Sequence, residues 1–129
     1  MTPELKYLGW SIALGIAYVL IAATLGTSQR GLTWNVGNRD GAARPLTGAG
    51  ARATRASRNF LETFPFFAAA VLGVVLAGTH NAHTALGAAL YFWGRLLYLP
   101  VYIIGVPYLR TLVWAVSFWG LLQVLYGLF

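Results

Sequence analysis

The stretch Thr63-Phe-Pro-Phe-Phe-Ala-Ala-Ala-Val-Leu-Gly-Val-Val-Leu-Ala-Gly78 carries no charge and shows no alternation of polar with apolar residues. A membrane-barrel strand needs about 10 residues in strict alternation, and Ala68 to Ala77 has none. Continued backwards into its polar start, the stretch makes a helix long enough to cross a hydrocarbon core of about 30 Å. Three more segments share its character, which places membrane helices at about 5–27, 51–78, 84–106 and 109–128. Their interiors hold few polar groups: Lys6 in the first, Arg95 in the third, and Gln123 in the fourth, which opens at Arg110. The expected fold is one all-α integral membrane domain, a bundle of four transmembrane helices.

Composition points the same way. The chain has 129 residues, 58% hydrophobic and only 9% charged, against about 25% charged in a soluble domain. Mean hydropathy is +0.65. These values exclude the ordinary soluble enzyme. The net charge of +6 could suggest nucleic acid, but the positive residues are eight arginines and Lys6, set between apolar segments. That placement fits loop retention at the cytoplasmic face better than a duplex-binding surface, so no nucleic-acid partner is expected. There are no cysteines, hence no disulfide, no cysteine nucleophile and no zinc–thiolate site in the chain itself. His80 and His83 share the second connection with no carboxylate or cysteine, and no metal site is expected there.

The connections differ. The first, Arg30 to Gly50, is long and rich in Gly, Asn and Arg; the second, Thr79 to His83, is short and uncharged; the third is a tight turn around Gly105 and Pro107. Arg30, Arg39, Arg44, Arg52, Arg55 and Arg58 gather in and after the first connection, and Arg110 follows the third. The positive-inside bias then puts connections one and three in the cytoplasm, with both termini and connection two outside. So few helices bury charge poorly, and the small residues of the first helix (Gly9, Ala13, Gly15, Ala17, Ala22 and Gly26) let helices approach closely. Self-association is expected.

The charged constellation lies just ahead of the opening stretch. At about 100° per residue, Arg52, Arg55, Arg58, Asn59 and Glu62 fall in one arc of about 120° on the second helix. This is a guanidinium stripe ending in a carboxylate just inside the membrane. Snorkelling at the interface accounts for Arg52 and Arg55; it accounts poorly for Asn59 and Glu62, since a carboxylate at that depth is costly without a partner. Tyr91, Arg95, Tyr98 and Tyr102 recur at spacings of 4, 3 and 4 on one face of the third helix, lining a cleft or packing on the second. Glu62 is expected to pair with Arg58, four residues away, and to neutralise Arg95. On that expectation Glu62→Ala lowers stability more than Arg52→Ala.

Asn38-Arg39, Pro45-Leu-Thr-Gly48, and Arg52-Ala-Thr-Arg-Ala-Ser-Arg-Asn-Phe-Leu-Glu-Thr-Phe-Pro65, followed by Gly94-Arg95-Leu-Leu-Tyr98-Leu-Pro-Val-Tyr102 and Val106-Pro-Tyr-Leu-Arg110, resemble the MAPEG family. These are membrane-associated proteins in eicosanoid and glutathione metabolism, and the resemblance covers nearly the whole chain. It implies a four-helix subunit in a homotrimer, with glutathione bound as co-substrate at subunit interfaces near the cytoplasmic side. Carried over by position, it implies that Arg55, Arg58, Asn59, Glu62, Arg95 and Tyr102 bind glutathione and that Arg110 stabilises the thiolate catalytically. Thr111 stands where the prostaglandin-synthase branch has a serine proposed to act on the thiol. Ser57 replaces the histidine common in eukaryotic members, and the alanine-rich chain looks like the bacterial ones, which implies a bacterial inner membrane. The implied activity is a glutathione-dependent transferase or peroxidase acting on lipophilic electrophiles. The alternative is a non-enzymatic, lipid-binding or scaffold protein of the same fold. A transporter ranks behind both, for want of inverted repeats and midplane helix breaks.

Overall fold

The computed structural model describes residues 1–129 as five helices: α1 (Pro3–Arg30), α2 (Leu32–Val36), α3 (Gly48–Leu76), α4 (Ala82–Ile104) and α5 (Pro107–Tyr126). All but α2 are long and apolar enough to cross a membrane, making this an all-α integral membrane protein. The spans start two to three residues earlier than expected. Local capping explains part of the shift. Thr2 accepts from the Leu5 amide at 3.3 Å, with Pro3 opening α1. Asn81 and Thr84 form a reciprocal capping box on α4, satisfying amide groups that the first turn leaves free. The short α2 inside the first connection was not expected; five residues without an apolar period carry no readable helical signal.

The chain runs up and down. At one end Glu4, buried in the first turn of α1, accepts a hydrogen bond from the Thr84 hydroxyl at 2.5 Å. Gly127 lies against Thr84 and Val74 there, so both termini and the α3–α4 connection share this end. At the opposite end Arg52 donates to the Ile103 carbonyl at 2.7 Å. Its charge faces the negative end of the α4 dipole, and it holds the tight α4–α5 turn, whose Gly105 has φ of +91°. Glycine adopts that left-handed backbone without a Cβ penalty.

The α4–α5 contact is the most extensive in the bundle, and small residues bring it about. A Cβ added at Gly87 would lie 2.6 Å from the Gly120 carbonyl oxygen, and one at Gly94 would lie 2.8 Å from Ser117 Cβ. Such close approach is the main route to tight association of helices in lipid. Between α1, α3 and α4 the core is aromatic: Tyr18 stacks on Phe60 at 4.7 Å and Phe67 on Tyr91 at 3.9 Å. This packing sets the rotation of α3 against α4, and with it which side chains face the site.

Candidate functional site

A cavity of about 440 Å³ opens between α3, α4 and α5 at the Arg52 end of the bundle. From α3 come Arg55, Arg58, Asn59 and Glu62, from α4 Tyr98 and Tyr102, and from α5 Arg110, Thr111 and Trp114. Helical spacing explains the convergence: 55, 58, 59 and 62 are one face of α3, 98 and 102 are one turn apart, and 110, 111 and 114 sit on the first turns of α5.

Tyr102 organises the mouth. Its phenol oxygen accepts from Arg55 Nε at 3.1 Å, and its ring lies under the Arg110 guanidinium, 4.8 Å from the centroid. Two like charges are thus held near one aromatic ring, a favourable seat for guanidinium groups. Tyr98 meets Tyr102 edge-on at 5.4 Å and extends this wall inward. The Thr111 hydroxyl donates to the Pro107 carbonyl at 3.2 Å, so its proton is directed along its own helix. Trp114, stacked on Phe118 at 5.0 Å, makes the apolar wall of the cavity on α5.

Arg95 packs on α3, one of the two placements expected for its face, but not beside Glu62 and not at the cavity. It is fully buried (0% exposed) and does not line the cavity. Its Nη1 donates to Asn59 Oδ1 and its Nη2 to Thr63 Oγ1, each at 2.7 Å. The guanidinium also lies over the rings of Tyr98, Tyr91 and Phe60, at 5.1, 5.7 and 5.9 Å. The expected pairing of Glu62 with Arg58 and Arg95 is not formed. Asn59 and Thr63 are four residues apart and present one face of α3 to α4, whereas Glu62 is rotated roughly 80° from the centre of that face. Glu62 is exposed and borders the cavity. Tyr18 steadies Arg95 from behind by donating to its backbone carbonyl at 2.6 Å.

Six of the seven residues singled out in the sequence therefore line one cavity: Arg55, Arg58, Asn59, Glu62, Tyr102 and Arg110. Tyr98 was legible as part of the tyrosine face and Thr111 through the family motif. Trp114 was not singled out in the sequence, and Thr63 and Tyr18 carried no signal, because their partners lie 32 and 77 residues away. The lining holds three guanidinium groups against one carboxylate, and no Arg–carboxylate pair comes within 4.0 Å. Such a site attracts a ligand that is more anionic than cationic.

The model of the MAPEG family matches residues 7–129, nearly the whole chain. The chain belongs to the MAPEG family. No curated protein and no solved structure matches it, so the roles of residues in this MAPEG protein are argued from its own geometry. Arg58 and Glu62 also border a second groove on the far flank of α3, shared with Val19, Ala22, Thr54 and Ser57. In this MAPEG protein they stand on a ridge between two hollows, and both are exposed.

Proposed function

We propose that this MAPEG protein binds glutathione in the α3–α4–α5 cavity and transfers its sulfur to lipophilic electrophiles, as a transferase or peroxidase. The family includes both such enzymes and members without enzymatic activity. The observation that carries the reading is the cavity lining itself. Arg55, Arg58 and Arg110 offer guanidinium groups to a small peptide's carboxylates, Glu62 offers a carboxylate to its ammonium group, and Trp114 offers an apolar wall to a lipophilic second substrate.

In this reading Arg110, at the mouth, faces the thiol. A positive charge beside a thiol favours the thiolate; each unit by which the thiol pKa falls is worth about 1.4 kcal/mol. The thiolate attacks the electrophilic carbon, forming the C–S bond as the electron pair moves to the leaving group or the opened ring oxygen, which then takes up a proton. With a hydroperoxide, the thiolate attacks the outer oxygen and the O–O bond breaks; the inner oxygen leaves as an alkoxide that takes up a proton to give the alcohol, and a glutathione sulfenic acid remains. A second glutathione then converts this to the disulfide and water.

The exposed Arg58, Arg55 and Glu62 support self-association, since a lone subunit would present them to lipid at high cost. A homotrimer with its sites between subunits relieves that cost. The arginine-rich end is assigned to the cytoplasm by the positive-inside bias, in a bacterial inner membrane.

The test is thiolate absorbance on adding glutathione to the purified protein near neutral pH. The signal is expected in the wild type and absent in Arg110→Ala, which keeps most of its glutathione affinity; Arg58→Ala weakens binding itself. Saturable binding without thiolate removes catalysis through Arg110. No binding at all hands the site to the lipid-binding alternative.

A further inference from the structure

Arg95 is a buried cation that no carboxylate meets, and what it touches determines what the cavity offers. A guanidinium group has only donors. The Asn59 atom that it contacts at 2.7 Å is therefore the carbonyl oxygen, and the carboxamide cannot flip without presenting two donors to each other. Asn59 lines the cavity, and its Nδ2 has no hydrogen-bond partner in the protein and is not sealed from solvent. The amide N–H groups thus remain for a ligand. Thr63 holds the other arm of the guanidinium at 2.7 Å, and Tyr98, Tyr91 and Phe60 surround its face, so the fork has little freedom to turn away.

We infer that Arg95 is a positioning residue for this site: it locks the Asn59 carboxamide so that an N–H donor always faces the cavity, where it takes a carboxylate or peptide carbonyl oxygen of the ligand. The inference rests on the reading that the cavity binds glutathione. Arg95 does not touch the ligand, and its contribution passes through Asn59. The neutral amide is suited to this place. A carboxylate at position 59 would satisfy Arg95 better but would offer no donor and would repel an anion.

A double-mutant cycle on glutathione affinity separates this role from general support of the fold. Asn59→Leu and Arg95→Met are each expected to weaken binding about tenfold, and the double variant also about tenfold rather than a hundredfold, because the second change removes nothing the first has left. Multiplicative losses overturn the inference while leaving the glutathione site standing. Loss of binding in the wild-type protein itself overturns the functional reading and the inference with it. Asn59→Asp supplies an arm that leaves Arg95 unchanged and stands even where Arg95→Met fails to fold. It should raise the melting temperature, by meeting Arg95 with a charge, while lowering glutathione affinity at least tenfold. A lower melting temperature, or wild-type affinity in this variant, overturns the inference.

Discussion

Glu62 and Arg52 exchange the roles that charge alone assigns them. Glu62 is exposed at the cavity and makes no ion pair, whereas Arg52 donates to the Ile103 carbonyl at 2.7 Å and holds the turn that carries Arg110. Hydrogen bonds from charged groups contribute about 1.5–3 kcal/mol. Arg52→Ala is therefore expected to lower the melting temperature more than Glu62→Ala, the reverse of the order expected from an ion pair. Glu62→Ala should instead show its effect in ligand titration, as weaker binding of a peptide that carries a free ammonium group. Thermal melts and titrations of the two variants in one detergent check both orders. Tyr18 belongs to the same scale. Its hydroxyl is the partner of a buried carbonyl at 2.6 Å, and Tyr18→Phe should cost about 1–2 kcal/mol, read as reduced resistance to denaturant.

Among the elements, the α4–α5 pair controls the site, because α4 carries Tyr98 and Tyr102 while α5 carries Arg110, Thr111 and Trp114. The pair approaches closely only where side chains are absent. A Cβ at Gly120 would collide with the Gly87 carbonyl oxygen and lie 2.7 Å from the Tyr91 amide nitrogen. Overpacking typically costs about 1–3 kcal/mol. Gly120→Ala is expected to melt at a lower temperature and to lose glutathione affinity, since α5 must move away from α4. Gly9→Ala is the reference, for nothing in its own chain lies within 4 Å of its added Cβ; it should melt no lower than the wild type, since alanine favours the helix over glycine. A Gly120→Ala variant indistinguishable from Gly9→Ala would mean that the two helices do not meet as described.

For the whole molecule, the polar ridge of Arg58 and Glu62 on an otherwise lipid-facing surface calls for a covering surface. Mass measurement in nanodiscs is expected to find three subunits; a stable monomer would leave these charges in lipid and count against an interfacial site. The absence of cysteine makes topology simple to read. A single cysteine at Asn81 should be labelled from outside the cell by an impermeant reagent, and one at Asp40 should be protected until the membrane is opened. The opposite pattern would invert the orientation.

Four spans, their order and the arginine-bearing face of α3 were legible from sequence alone, because each depends on local quantities: segment length, hydropathy and a period of 3.6 residues. The members of the site on α3 were legible for the same reason, since one helical face delivers 55, 58, 59 and 62 together. What meets Arg95 was not. The choice between the Glu62 carboxylate and the Asn59 and Thr63 oxygens turns on the rotation of α3 against α4, and no local pattern encodes that rotation. It is set by aromatic packing such as Phe67 on Tyr91 at 3.9 Å. The Glu4–Thr84 contact, which joins positions 80 residues apart, was hidden likewise. Tertiary structure made these choices because a helix fixes the angles between its own side chains and leaves free the angle at which it meets its neighbours.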